Sequence, residues 1–440
     1  MKTLLSHRWP CRSLVGALIA AFPLLISAAT LTNRYSFLTD ARDSIGGKNG
    51  QLVNGPIISD GQLLLDGMSG QYVNLPNNLI AGMTAITIEA WITPSYNANW
   101  TRIWDFGNSN AGEDKSDYGT KHFMCYILPN LEATIYAGGS DSWIRSSPAF
   151  TLPDDQEAHI VWTSDAATRK ARLYVNGNLV GKNDAAQNSP AALGSTFNNW
   201  LGRSQFSADP YFTGAFNEFR IWNGALNPLE VNASTVAGPD NVTTDPGAIT
   251  RIVLQVAFQM VKGNSQQAVV LASAANLPRP VNIADINGIV YQSGDTNILT
   301  INATGQIRAV SAGSTFLTAG FQGQSDTQTV TVIEQPARLT HRYSFTANAN
   351  DSVGQAHGEL LGGAIIENGR VLLDSSLESH VQLPAGILTS YQALTIECWA
   401  TFGTLDTWSR LWCFGDQNDA GQGRYYVELC PHGGSADTYI

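Results

Sequence analysis

The chain has 440 residues, enough for roughly two to four domains with separate cores. Its formal charge is −11, and an acidic surface repels phosphate backbones, which argues against nucleic acid as a partner and leaves neutral glycans and divalent cations open. With 14% charged residues, 41 Gly and 11 Trp, the composition suits an ordered, loop-rich β protein and not a disordered one.

At the N-terminus, Lys2, Arg8 and Arg12 precede an apolar run from Leu14 to Ile26, and Ser27, Ala28 and Ala29 offer a small-residue cleavage site. This pattern predicts a secretory signal peptide over 1–29, its apolar run too short to span a membrane; an uncleaved anchor is the alternative. Its removal takes away three positive charges and moves the formal charge from −11 to −14. No later stretch offers about 18 consecutive apolar residues, so the mature chain is expected to be secreted or surface-attached, without a transmembrane segment.

From Leu31 the chain carries a unit that returns. Residues 31–112 and 339–420 align without a gap at an offset of 308, with 34 of 82 positions identical. LTNRYSF returns as LTHRYSF, AITIEAW as ALTIECW, and WTRIWDFG as WSRLWCFG. A period this long reads as a whole domain used twice, not as a solenoid.

Within the first copy the apolar residues recur at period two. In ITIEAWIT, Ile86, Ile88, Ala90 and Ile92 alternate with Thr87, Glu89, Trp91 and Thr93. RIWDF predicts Arg102, Trp104 and Phe106 on one side of a strand and Ile103 and Asp105 on the other. HIVWTSD, Ala171–Val175 and Glu218–Trp222 continue the pattern, with Gly, Asn and Pro marking turns between them. Asn176-Gly177, between two apolar runs, predicts a type I′ hairpin and a turn-forming role for Asn176. No window after the leader sustains a 3.6 period, so the fold class expected is all-β, an antiparallel sandwich.

The polar, Pro/Gly-rich stretch 237–247 reads as a linker after a first domain over 30–236. Residues 248–336 have few aromatics and many Val, Ala, Ser and Thr, the size and character of a small immunoglobulin-like sandwich. The second copy occupies 337–440 and lacks any counterpart of HIVWTSD, LYVNG or EFRIW. Half a sandwich with an exposed apolar face is therefore expected, as part of a longer protein. Cys11, Cys125, Cys398, Cys413 and Cys430 form neither a disulfide framework nor a C-x-x-C metal site; buried free thiols are expected, with a Cys398–Cys413 bridge the alternative.

RYSF, the Asp43–Gly46 turn, ITIEAW, HIVWTSD with LYVNGNLVG, and GAFNEFRIWNGALNPLEV in this order resemble the bacterial laminin-G-like domain. The resemblance covers 31–236 in full and 339–440 as an N-terminal half, and implies a jelly roll of the concanavalin A-like lectin/glucanase superfamily. NILTINATGQIRAVSAGSTFLTAGFQG followed by TVTVI is similar to the bacterial immunoglobulin-like group 2 domain, which implies a spacer.

Glycoside hydrolysis needs two carboxylates flanking the scissile bond, and jelly-roll glucanases place them on one strand face. Here Glu89 and Glu218 stand alone on their strands, Glu397 repeats Glu89, Asp154 and Asp155 share a turn, and Glu113, Asp114 and Asp117 share a loop. No catalytic residue is assigned. Domains of the resembled superfamily often hold structural calcium at the rim, which implies Asp43 and Glu218 as ligands, with Asp351 equivalent in the second copy; the alternative is an Asx turn at Asp43 and an ion pair at Glu218. A glycan site would use loop aromatics and carboxylates, and Tyr118, Trp143 with Asp141, Trp200 and Tyr211 fit that description. Trp91, Trp100 and Trp104 recur in the second copy and are expected in cores. The function expected is non-catalytic binding of a polysaccharide or an extracellular surface protein, at a bacterial surface or outside the cell, with avidity from tandem copies. The rivals are the binding region of a polysaccharide-degrading enzyme whose catalytic domain follows residue 440, and a structural stalk.

Overall fold

The computed structural model describes residues 29–139, 143–145, 147, 149–391, 393–418 and 423–432. The expected signal peptide, apart from Ala29, lies outside these residues, as does Asp141. The chain divides into two compact units, one ending at Gln335 and the other starting at Pro336.

The first unit opens with β1 (Thr30–Tyr35), β2 (Gln51–Val53), β3 (Ile57–Ser59), β4 (Gln62–Asp66), β5 (Tyr72–Leu75), β6 (Ala85–Pro94), β7 (Arg102–Ser109) and β8 (Gly119–Tyr126). There follow β9 (Glu132–Tyr136), β10 (Ile144–Arg145), β11 (Ala158–Asp165), β12 (Lys170–Val175), β13 (Asn178–Asn183), α1 (Pro190–Leu193), β14 (Asn198–Leu201), β15 (Thr213–Asn223) and α2 (Pro228–Ala237). One sheet runs β13-β12-β11-β6-β15-β4-β3, with β1 also paired to β15; the other runs β10-β9-β8-β7-β14-β5-β2. All these pairings are antiparallel, and the two sheets stack as a jelly-roll sandwich.

The core between the sheets follows the alternation in the sequence. Ile86, Ile88, Ala90 and Ile92 of β6 meet Ile160 and Trp162 of β11, Leu173 of β12, and Phe219 and Ile221 of β15. Asn176 and Gly177 have φ of 49° and 75°, as a type I′ turn requires, and the Asn176 side chain accepts from the His159 amide at 2.9 Å. In β7 the expected sidedness fails. The register shifts between Arg102 and Trp104 against β8, so Ile103, Trp104 and Phe106 all enter the core. Such a bulge leaves Arg102 and Asp105 together on the outer face.

A ten-residue helix, α2, was not expected from periodicity. Its N-terminus carries a capping box: Asn227 accepts from the Leu229 and Glu230 amides while Glu230 accepts from the Asn227 amide, and Pro228 sits at the start. The helix covers the outer face of the first sheet, where Val161, Tyr174, Trp222, Leu226 and Val231 form a second apolar cluster.

Residues 249–333 form a smaller β domain around Val270, Ile283, Leu299, Ile307, Leu317 and Val330. Its largest sheet pairs Gln259–Val261 in parallel with the strand Gln324–Ile333, which continues antiparallel to Gly313–Phe321 and, beyond it, Val290–Ser293. Leu229 of α2 belongs to this domain's core cluster. Arg172 of β12 binds Asp285 at 2.5 Å and Asp184 at 2.6 Å.

The second unit holds only two-stranded sheets among its described residues: Glu359–Leu361 with His380–Gln382, Ile365–Glu367 with Arg370–Leu372, and Trp412–Gln417 with Gly423–Leu429. LTIECW at 394–399, so similar to β6, forms no strand, and Trp399 is 92% exposed. In the first copy β6 is held between β11 and β15, both of which lie beyond the aligned repeat. Cys125 and Cys430 are buried free thiols, whereas Cys398 and Cys413 are free but exposed, contrary to the expectation of burial and without the alternative bridge. Among the described residues no helix is long and apolar enough to cross a membrane.

Candidate functional site

On the outer face of the second sheet, the loop after β14 folds back over β7 and β8 and lines a half-open cavity of about 220 Å³. Phe206 and Tyr211 form its aromatic walls, and Ser116, Arg203, Ser204, Ser207 and Asp209 supply polar groups. Arg203 lies 4.0 Å from the Trp200 ring centroid and 4.6 Å from that of Tyr72. Its Nε donates to Ser116 Oγ at 3.1 Å and its Nη2 to the Asp114 carbonyl at 3.2 Å, and the same guanidinium also interacts with the Tyr72 hydroxyl. Asp209 Oδ2 accepts from Arg102 Nη2 at 2.7 Å and Ser204 Oγ at 2.8 Å, and its Oδ1 is uncommitted among the described residues. The cavity thus brings a guanidinium and a carboxylate together beside two aromatic side chains.

Beneath it, Arg102 is fully buried and spends its guanidinium on Asp209, Asp105 and the Trp100 carbonyl. Burial pushes the Asp105 carboxyl up to about 6 against the opposing charge of Arg102, and Asp105 Oδ1 has no hydrogen-bond partner among the described residues. Burial likewise lowers His122 to about 4, so this imidazole is neutral at pH 7 beside Phe206 and Tyr136.

The structure brings some of the expected site residues together. Tyr211 lines the cavity, and Tyr118, 65% exposed, packs edge-on against Phe206 at 5.4 Å. Trp200 is not a loop platform: it lies in β14, fully buried, with Nε1 donating to Asn74 at 3.1 Å, and serves as the surface on which Arg203 stacks. Trp143 lies apart from them, against Tyr126 at 6.1 Å and beneath Arg145. Trp104 is in the core; Trp91 is buried on the outer face, stacked on His159 at 3.7 Å; Trp100 is 44% exposed, contrary to the expectation of core packing. Arg203, Phe206 and Asp209 gave no signal in the sequence, because only the returning loop places them over the sheet.

The residues expected to hold calcium do not fit a cation. Asp43 Oδ1 accepts from the amides of Arg34, Ile45 and Gly46, and its Oδ2 from Asn33 Nδ2 and the Lys48 amide. Burial raises this carboxyl, yet the bonds from Arg34, Asn33, Ile45 and Lys48 outweigh it and hold it below the usual range. Glu218 binds Arg34 and Arg220, each at 2.6 Å. Every oxygen faces a hydrogen donor, which is the geometry of a turn former and an ion pair. Asp351 repeats it with His341 and the amides of Arg342, Val353, Gly354 and Ala356. Among the described residues no group of three or more His, Cys, Asp or Glu is placed to hold a metal. Glu89 is buried under α2, bonded to Trp222 Nε1 at 2.6 Å and 3.3 Å from His159.

The two-sheet sandwich, with a cavity on its outer face, is a jelly-roll β domain. Residues 66–232 match the sequence model of the Laminin_G_3 family, described as the concanavalin A-like lectin/glucanases superfamily. A curated relative, the A type blood N-acetyl-alpha-D-galactosamine deacetylase of Flavonifractor plautii, is 24% identical over 272 residues, 54% of this chain and 34% of its own length. The chain therefore spans about a third of that relative. Domain 4 of an extracellular GH43 arabinanase from Geobacillus stearothermophilus, solved with arabinotriose, is 22% identical with a TM-score of 0.37, covering 46% of this chain and 97% of that one. The CBM40 domain of the Ruminococcus gnavus IT-sialidase, solved with α2,3-sialyllactose, is 15% identical with a TM-score of 0.30, covering 35% and 83%.

Proposed function

We propose that the protein is a secreted or cell-surface glycan-binding protein, non-catalytic within these residues, that receives a sugar ring in the cavity between Phe206 and Tyr211. The observation that carries this reading is a pocket lined by Phe206 and Tyr211 in which Arg203 and Asp209 supply opposite charges and Asp209 Oδ1 has no hydrogen bond among the described residues. Sugar rings present apolar C–H faces for aromatic contact and hydroxyls that both donate and accept. The family match over 66–232 supports the same reading. On this reading the smaller β domain is an immunoglobulin-like spacer and the second repeat adds avidity for a repetitive surface, polysaccharide or matrix.

A second reading is favoured by the deacetylase relative, whose name states a glycan-processing activity: these residues would be the binding region of a larger enzyme. Both readings require the cavity to hold sugar. The full chain should be retained on an array of oligosaccharides that includes blood-group A structures. Tyr211→Ala, and Arg203→Lys, which loses the planar donor fork, should each weaken retention about tenfold or more, about 1.4 kcal/mol. Unchanged retention by both variants would remove the cavity from the assignment.

A further inference from the structure

A second aromatic cluster lies on the same sheet at the β7 entrance, and the cavity does not explain it. Trp100 holds φ at 68°, a left-handed conformation that an L-residue with a bulky side chain avoids, and its indole is 44% exposed. The aligned Trp408 of the second copy repeats this with φ of 70° and 47% exposure. Each is pinned from two residues on: Arg102 donates to the Trp100 carbonyl and Arg410 to the Trp408 carbonyl. An exposed ring gains little from core burial, so packing does not account for a strained backbone kept in both copies.

Around Trp100 the surroundings are built for a ligand. Its ring meets Tyr126 at 4.7 Å, and Tyr126 meets Trp143 at 6.1 Å. Tyr126 donates its hydroxyl to Glu132 Oε2 at 2.5 Å, and Arg145 Nε lies 3.3 Å from the same oxygen. Glu132 is only 9% exposed, and its Oε1 carries no hydrogen bond among the described residues. A buried carboxylate held in place by two donors, with one oxygen uncommitted, is poised to accept from ligand hydroxyls. Arg145, its guanidinium 5.5 Å from the Trp143 ring, is largely exposed and can donate.

We propose that Trp100, Tyr126, Glu132, Trp143 and Arg145 form a second saccharide site, for a neutral sugar ring stacked on the Trp100 indole with its hydroxyls on Glu132 Oε1 and Arg145. This rests on the reading of the protein as a glycan binder but uses residues separate from the cavity. A neutral ring is the ligand proposed, because the Glu132 carboxylate compensates the Arg145 cation and leaves the pair no net positive charge with which to hold an anionic group.

The test uses the full chain and the variants Trp100→Gly, Glu132→Gln and Tyr211→Ala on an array of neutral oligosaccharides, with each retained glycan then titrated in solution. Glycine suits the positive φ at position 100, so Trp100→Gly keeps the loop, and Glu132→Gln keeps the side-chain shape. Trp100→Gly and Glu132→Gln should each weaken a common set of glycans about tenfold or more that Tyr211→Ala still binds, with thermal melts near that of the unaltered chain. Retention of every glycan at unaltered affinity by both variants, while Tyr211→Ala abolishes binding, overturns the second site and leaves the cavity. Loss through Trp100→Gly and Glu132→Gln but not Tyr211→Ala supports the second site against the cavity. Failure of the unaltered chain to retain any glycan overturns both.

Discussion

At the scale of single residues, two buried carboxylates show how environment divides chemically identical groups. Asp105 is raised to about 6 by burial, so the folded chain binds its proton more tightly than the unfolded chain does. Its contribution to stability is complete below the ordinary carboxyl range near 3.8 and is lost as pH rises through about 6. Denaturant unfolding of the unaltered chain and of Asp105→Asn across pH 4 to 7 should therefore diverge, with the variant gaining relative stability as pH rises; a constant difference would refute the shift. Asp43 has the opposite sign, and what it contributes is lost as pH falls. Asp43→Ala would strip the acceptor from four backbone amides and the Asn33 amide, at a cost of about 2–4 kcal/mol, since each buried donor left unmet is expensive. The same geometry predicts that a chelator leaves the melting temperature unchanged, and a chelator-sensitive melt would restore the calcium assignment. Gly46 completes this turn: a Cβ there would come within 2.5 Å of the Thr32 carbonyl and 2.9 Å of Asp43 Oδ2, so Gly46→Ala should destabilise comparably.

At the scale of elements, alternation was legible wherever a strand lies flat between two partners, as in β6 and β11. It failed at β7 because a bulge is a property of the pairing of two strands, and neither sequence alone announces where the register slips. LTIECW makes the complementary point: a pattern equivalent to β6 forms no strand where strands like β11 and β15 do not flank it. The helix α2 escaped periodicity, being short, yet Asn227-Pro228-Leu229-Glu230 carried a readable start signal. Asn227→Ala should cost about 1 kcal/mol, read as a fall in the midpoint of denaturant unfolding. Of the candidate site, the loop aromatics Tyr118 and Tyr211 were legible as exposed rings near turns. Trp200 was misplaced, because Asn198–Leu201 is a buried strand with amide side chains that look like loop chemistry. Arg203 and Asp209 acquire meaning only from the loop that carries them back over β7. Trp100 was hidden by its repetition, which reads as core until the backbone angle and exposure are known.

At the scale of the whole first unit, the two β domains are joined by more than a connecting stretch. The capping box that starts α2 points Leu229 into the small domain's core, where it packs with the cluster that includes Val270 and Ile283. Arg172, 8% exposed at its side chain, reaches from β12 to Asp285 while Lys170 donates to the Asp285 carbonyl at 2.7 Å. A buried guanidinium whose partners come from both domains makes their separation costly, because opening would strip it of one of its two carboxylates and leave it with Asp184 and the Ala171 and Asn183 carbonyls. Local opening of the small domain should thus be coupled to α2. Hydrogen exchange on the full chain gives the measurement, since it reads each strand separately. Leu229→Ala, a large-to-small change worth about 2–5 kcal/mol in a packed core, should accelerate exchange in α2 and in Val269–Ala274 and Val281–Ile283 together. The amides of β6 and β7, in the separate core between the two large sheets, should keep their protection. If exchange in 269–283 is indifferent to Leu229→Ala, the helix belongs to the large sandwich alone and the two domains open independently.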